Sequence, residues 1–211
     1  MSGNVAWVAK GAIVLEIGIH GIPVILESGL YSDLSNGVLS NYVLHGIENR
    51  DTYFFRRVYL GCVKAVDFLL SLPKSNGKVG VMGGSQGGML SLATSYLDKR
   101  ITATGVYFPA FCDQEAYMHG RTGGWPHFFK KKDNCKKEYL ETIRYYDGAN
   151  FARKLTAPVY YAFGYNDITC GPTTSSATYN VISAPKQVVI GENQGHWLFP
   201  GRNHRAGKNR R

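Results

Sequence analysis

Apolar positions along the chain fall into short blocks whose period switches between strand-like and helix-like. Residues 5–10 read as the end of a helix, and the β-branched run at residues 11–17 predicts a buried strand. After a loop at residues 18–23, Gly, Ser and Asn interrupt the apolar positions as far as residue 49, which predicts a long surface excursion. Asp51 then caps a helix in which Phe55, Tyr59, Cys62, Val63, Val66, Leu69 and Leu70 recur every three or four residues until Pro73 stops it, with Arg56 and Arg57 off the stripe. Further strands are expected at residues 78–84, 101–108, 158–163 and 187–190, and helices after Ser85, at residues 151–155 and at residues 173–182. Strands alternating with helices define an α/β fold with a mostly parallel, doubly wound sheet.

Within that alternation, Gly83-Gly84-Ser85-Gln86-Gly87 follows an apolar strand and leads into a helix carrying Met89, Leu90, Leu92, Ala93, Tyr96 and Leu97 at helical spacing. Gly-x-Ser-x-Gly by itself is only a glycine-rich turn, but between a strand and a helix it reads as a nucleophile elbow. A sharp turn holds the hydroxyl clear of its own backbone, in a strained conformation, with Gly83 and Gly87 leaving room where a Cβ would collide. The N–H of Gln86 is then placed to donate to a developing oxyanion.

Two further side chains occupy equivalent positions. Asp167 follows the strand at residues 158–163, and His196 follows the strand at residues 187–190. Open α/β sheets put their ligands at the carboxyl ends of their strands, and the order Ser, Asp, His is that of the α/β hydrolases. In this reading His196 takes and returns the proton of Ser85, and Asp167 fixes the imidazole tautomer. The other histidines, His20, His45, His119, His127 and His204, lack that position relative to both partners, apart from His20, whose strand comes too early in the order. Residues 113–147 form an insertion rich in aromatic and charged residues beside a strand end, where insertions commonly cover a pocket. Its Trp125, Phe128 and Phe129, mixed with His and Lys, suit stacking on sugar rings better than a lipase lid does.

The 211 residues suit one α/β domain, and 44% hydrophobic content supports a sizeable core. A net charge of +9 invites a nucleic-acid reading, yet Arg202, Arg205, Lys208, Arg210 and Arg211 in the tail carry five of those charges. Lys130, Lys131, Lys132, Lys136 and Lys137 sit in a polar connection and read as a solvated surface, so nucleic acid is not expected as a partner. No apolar run approaches a membrane span, and Met1-Ser-Gly-Asn lacks the features of a signal peptide. The expectation is a soluble chain of unspecified compartment. Cys62, Cys112, Cys135 and Cys170 are scattered without a Cys-x-x-Cys pair, which argues for free thiols in or near the core; a Cys112–Cys135 bridge in a secreted form is the alternative.

Over about residues 5–198 the chain resembles the acetyl xylan esterase and cephalosporin C deacetylase family of α/β hydrolases. The likeness rests on Arg56-Arg57-Val58-Tyr59-Leu60, the Gly83-Gly84-Ser85-Gln86-Gly87-Gly88 turn, Tyr145-Tyr146-Asp147-Gly148-Ala149-Asn150, residues 158–167, and Gly195-His196. The resemblance implies that Ser85, Asp167 and His196 are nucleophile, acid and base, that Gln86 supplies an oxyanion N–H, and that Pro109 lines the acetyl pocket. It implies no metal or organic cofactor, an acetylated carbohydrate as substrate, and assembly into a homo-oligomer. Three positions depart from the family pattern: His20-Gly21-Ile22 stands where the family has Arg-Gly-Gln, Trp197 follows His196 where Glu is common, and residues 201–211 form a basic tail, expected to be disordered, in place of a closing helix. The family domain also begins upstream of Met1, with a strand between those at residues 11–17 and 78–84 and a loop giving the second oxyanion N–H. On that basis residues 1–200 are expected to be a partial α/β-hydrolase domain, and a noncatalytic remnant that binds carbohydrate, or another α/β hydrolase such as a peptidase, are the competing functions.

Overall fold

The computed structural model describes residues 5–25 and 27–196. A short helix α1 (Val5–Val8) opens the chain and is followed by α2 (Ser28–Asn36), a 3-10 turn at Tyr42–Leu44 and the long helix α3 (Phe54–Ser71). The repeating unit then runs β1 (Val79–Gly84), α4 (Gln86–Leu97), β2 (Ile101–Tyr107), α5 (Lys137–Tyr146), α6 (Gly148–Ala152), β3 (Val159–Gly164), α7 (Pro172–Asn180) and β4 (Lys186–Gly191), with 3-10 turns between β2 and α5. Four parallel strands form one sheet in the order β1-β2-β3-β4. Among the described residues the strands step in one direction only, so right-handed crossovers put their helices on one face.

That face carries the core. The row Gly83, Val106, Tyr161, Val188 lies in register across the sheet, with Val106 and Tyr161 fully buried. Helix α3 adds Phe54, Phe55, Val58, Tyr59, Cys62 and Val66, and the Tyr59 hydroxyl donates to the Tyr146 carbonyl at 2.8 Å. The alternate row, Met82, Gly105, Tyr160, Gln187, points to the other face, where Met82 and Tyr160 are exposed. Cys62, Cys112, Cys135 and Cys170 are all free, and three of them are buried. Lys130, Lys131, Lys132, Lys136 and Lys137 are exposed. Among the described residues no helix is long and apolar enough to cross a membrane.

Several local expectations are corrected. Residues 11–17 form no strand, and Ile13, Leu15 and Ile17 are 38–46% exposed. Among the described residues they have no ladder partner, and with residues of β1 they line a cleft of about 1260 Å³. The excursion at residues 23–49 contains α2, which buries none of its residues, and this is why the hydrophobic pattern did not show it. Helix α3 is capped at Tyr53 rather than Asp51, without a side-chain cap. Asp51 sits instead in a turn where its N–H bonds the Asn49 side chain, and burial of Tyr53, Phe54 and Phe55 fixes the true start. The short helix expected at residues 151–155 begins three residues earlier, at Gly148.

Asp147 accounts for that shift. Its buried carboxylate accepts the N–H of Ala149 at 2.8 Å, capping α6, and those of Asp113 at 3.0 Å and Gln114 at 2.7 Å. One side chain therefore ties together the two ends of the insertion. Burial outweighs these bonds and pushes its pKa up to about 6. With a folded value above the unfolded one, folding favours the protonated form, so this contribution to stability is greatest below about pH 4 and is lost as pH rises through about 6. In chemical denaturation the wild type should lose up to about 3 kcal/mol relative to Asp147→Asn between about pH 4 and pH 7. Parallel profiles for the two proteins would contradict this.

Candidate active site

Ser85 joins β1 to α4 with φ 57° and ψ −119°, a conformation that L-residues rarely adopt. Its backbone is held on both sides. The Ser85 N–H donates to the Tyr107 carbonyl at 3.0 Å, and the Ser85 carbonyl accepts from Gly88, Met89 and Ala110 at 2.9–3.2 Å. Gly83 is required by close approach, since a Cβ there would lie 2.4 Å from the Gly87 carbonyl group. At Gly87 itself a Cβ would meet open space, so the expected collision arises only at Gly83.

The exit loops of β3 and β4 are joined to each other. Tyr165 N–H donates to the Gly191 carbonyl at 3.1 Å and Asn166 N–H to the Gln194 carbonyl at 3.0 Å. Gly164 permits the contact, because a Cβ there would sit 2.1 Å from Gln194 O. This junction carries Asp167 and His196 to the same place. Asp167 Oδ2 accepts from His196 Nδ1 at 2.7 Å, while Oδ1 accepts the N–H groups of Thr169 at 2.9 Å and Cys170 at 2.8 Å. Both carboxylate oxygens are therefore committed, and the Asp167 side chain is fully buried. With that tautomer, His196 Nε2 accepts from the Ser85 hydroxyl at 3.0 Å. The His196 ring packs on Phe108, with centroids 4.8 Å apart. The arrangement can carry a proton from hydroxyl to imidazole and stabilise the imidazolium that results.

The other expected residues lie around this relay. Gln86 opens α4, so its N–H has no acceptor within its own helix, and its side-chain amide donates to the Tyr42 hydroxyl. Pro109 is buried directly after Phe108, against Gly88. Trp125 is half-buried, its ring 5.5 Å from Phe111 and its carbonyl bonded by the Phe111 N–H at 2.7 Å. The other described histidines are engaged elsewhere or exposed: His20 packs on Tyr42, His45 bonds Ser40, His127 bonds Tyr117, and His119 lies exposed. His204, Trp197 and the basic tail lie outside the described residues. Among the described residues no group of His, Cys, Asp and Glu is gathered to hold a metal ion.

Sequence reasoning treated Cys170 as core filler. In the structure Cys170 is fully buried, its backbone N–H donates to Asp167 Oδ1, and burial followed by the Asp167 charge pushes its thiol pKa up to about 12. Its position three residues after Asp167, in the same strand-exit loop, was the available signal.

A parallel α/β sheet with Ser at a strand-to-helix turn, and Asp and His at later strand exits, is the arrangement of the α/β-hydrolase class. Within that class, the chain belongs to the acetyl xylan esterase family, whose model, described as acetyl xylan esterase (AXE1), matches residues 1–206. It is 42% identical over 198 residues to acetyl esterase Axe7A of Xylanibacter ruminicola, a match covering 92% of this chain and 45% of that protein. Among solved structures, the acetyl xylan esterase of Paenibacillus sp. R4 is 31% identical with a TM-score of 0.68, covering 76% of this chain and 54% of that one. Acetyl xylan esterase 1 of Thermoanaerobacterium sp. JW/SL YS485 is 26% identical with a TM-score of 0.69, covering 77% and 55%. The chain thus spans about half the length of these relatives.

The strain at Ser85 predicts an order of stability. Gly adopts positive φ freely, so Ser85→Gly should be about 1 kcal/mol more stable than Ser85→Ala in urea denaturation. Equal stabilities would show the turn to be relaxed.

Proposed function

We propose that the chain is a serine esterase that removes O-acetyl groups from carbohydrates, with acetylated xylan or xylo-oligosaccharides as its substrate class. The continuous relay from Asp167 through His196 to Ser85, at 2.7 and 3.0 Å in a member of this family, carries the reading. Ser85 Oγ attacks the acetyl carbonyl carbon while His196 Nε2 takes its proton. The carbonyl oxygen becomes an oxyanion and accepts the Gln86 N–H. As the tetrahedral species collapses, His196 returns the proton to the departing sugar oxygen, leaving acetyl-Ser85. Water then attacks that ester with His196 as base, and acetate leaves as Ser85 recovers its proton. Asp167 stays ionised throughout and holds the imidazole in the tautomer that both halves need. Each proton movement uses a group of this chain, and no metal or organic cofactor enters the scheme.

Pro109 beside the elbow would wall the small acyl pocket, and Trp125 would offer a face to a sugar ring. The test is hydrolysis of p-nitrophenyl acetate and acetylated xylan, with fluorophosphonate labelling read by intact mass. Ser85→Ala should abolish labelling and turnover with the fold retained, and Asp167→Asn and His196→Asn should each lower kcat by about 10⁴-fold or more. Turnover undiminished in Ser85→Ala would remove the nucleophile assignment. Affinity for acetylated xylan without any turnover would favour a carbohydrate-binding remnant.

A further inference from the structure

We infer that Tyr42 is a positioning residue for the oxyanion site: by holding the Gln86 side-chain amide, it keeps the amide oxygen off the Gln86 backbone N–H, which stays open to the substrate. The inference rests on the esterase reading and concerns one donor that this reading requires.

Gln86 is the first residue of α4, so its N–H belongs to the first turn, where backbone donors have no acceptor in their own helix. A glutamine side chain in the first turn can reach back and bond such a donor with its own carbonyl oxygen. Gln86 therefore carries a competitor for the N–H that the oxyanion needs. In the structure that competitor is held elsewhere. The amide Nε2 donates to the Tyr42 hydroxyl at 2.5 Å, and Oε1 is buried without a hydrogen-bond partner among the described residues. An unpaired buried acceptor favours rotation of the amide onto a free N–H, and the bond to Tyr42 opposes that rotation.

Tyr42 is itself fixed from the α3 side. It opens the 3-10 turn Tyr42–Leu44, directly after Asn41 with its left-handed φ of 51°. Its ring packs on His20, Phe54 and Phe55 with centroids 4.6, 5.2 and 6.2 Å apart. The Tyr53 hydroxyl donates to the Val43 carbonyl at 2.9 Å, which ties the turn to the start of α3. Tyr42→Phe keeps the ring and takes away only the hydroxyl, so the amide is released while the packing stays.

The two roles open to this hydroxyl make opposite predictions. If it only braces the fold, losing the second polar group of the pair cannot restore rate. If it restrains the amide, Tyr42→Phe should be slow and Gln86→Met in that background should recover rate, because methionine is of similar length and has no carbonyl oxygen. The experiment measures kcat and KM for p-nitrophenyl acetate, the rate of fluorophosphonate labelling at Ser85, and thermal midpoints for wild type, both single variants and the double variant. We expect Tyr42→Phe to lower kcat and labelling by about tenfold or more with KM within about twofold. The double variant should react about fivefold or more faster than Tyr42→Phe. Tyr42→Phe reacting at the wild-type rate, a double variant no faster than Tyr42→Phe, or an equal gain from Gln86→Met with Tyr42 in place would overturn the inference. So would rates that follow the thermal midpoints across the series. Wild type that labels at Ser85 but does not turn over the ester would count against the esterase reading alone, and the labelling rates would still decide Tyr42. Wild type that neither labels nor turns over would overturn both.

Discussion

Ser85 sits in a backbone conformation that costs on the order of 1–3 kcal/mol, and the surrounding structure exists in the form needed to hold it there. Four hydrogen bonds do so: one from Ser85 N–H to the end of β2, and three onto its carbonyl, two from the first turn of α4 and one from Ala110. If any of these elements moved, the turn could relax and Oγ would swing away from His196. The β1–β2 pairing, the packing of α4 across both strands and the tight Gly83–Gly87 approach are thus parts of a single constraint. The same constraint sets Gln86 at the open end of a helix, where a backbone N–H remains available to an anion.

Strand register then brings the other two groups to the right height. Gly84 pairs with Tyr107, and Gly164 with Gly191, so the exits of β1, β3 and β4 emerge along one edge of the sheet. A slip of one residue in a strand moves its exit by about 3.3 Å, more than a hydrogen bond tolerates. The short bridge between the β3 and β4 exit loops removes the remaining freedom. It explains why Asp167 and His196, 29 positions apart, meet at 2.7 Å while buried enough for their charge interaction to matter.

Much of this was readable in the chain because strand ends are written in local chemistry. Ser85, Asp167 and His196 each follow an apolar run that stops at a glycine, and the structure puts all three at strand exits. What was not readable depended on partners. Residues 11–17 have strand composition, but composition says nothing of whether another backbone lies alongside. Helix α2 buries nothing, so no hydrophobic period announces it. The start of α6 is set by one side chain, Asp147, that also bonds residues more than thirty positions away. Cys170 reads as any buried cysteine, and only the folded loop after β3 shows its N–H bonded to Asp167.

The structure is asymmetric about β1, and the asymmetry explains how an ordered site coexists with an unpaired segment. On the β2 side, Ser85 is bonded to Tyr107, Ala110 and α4, and the buried aromatic cluster of Phe55, Phe108 and Phe111 lies beneath. On the other side, among the described residues, β1 has no strand partner and lines the cleft together with the exposed Ile13, Leu15 and Ile17. None of the four backbone hydrogen bonds at Ser85 involves a residue before β1. The four backbone bonds at Ser85 oppose its strain from β2, Ala110 and α4, while the Gln86 side chain reaches back to the Tyr42 hydroxyl before β1. The relay geometry therefore does not depend on how residues 12–17 are paired, whereas the apolar surface around them does.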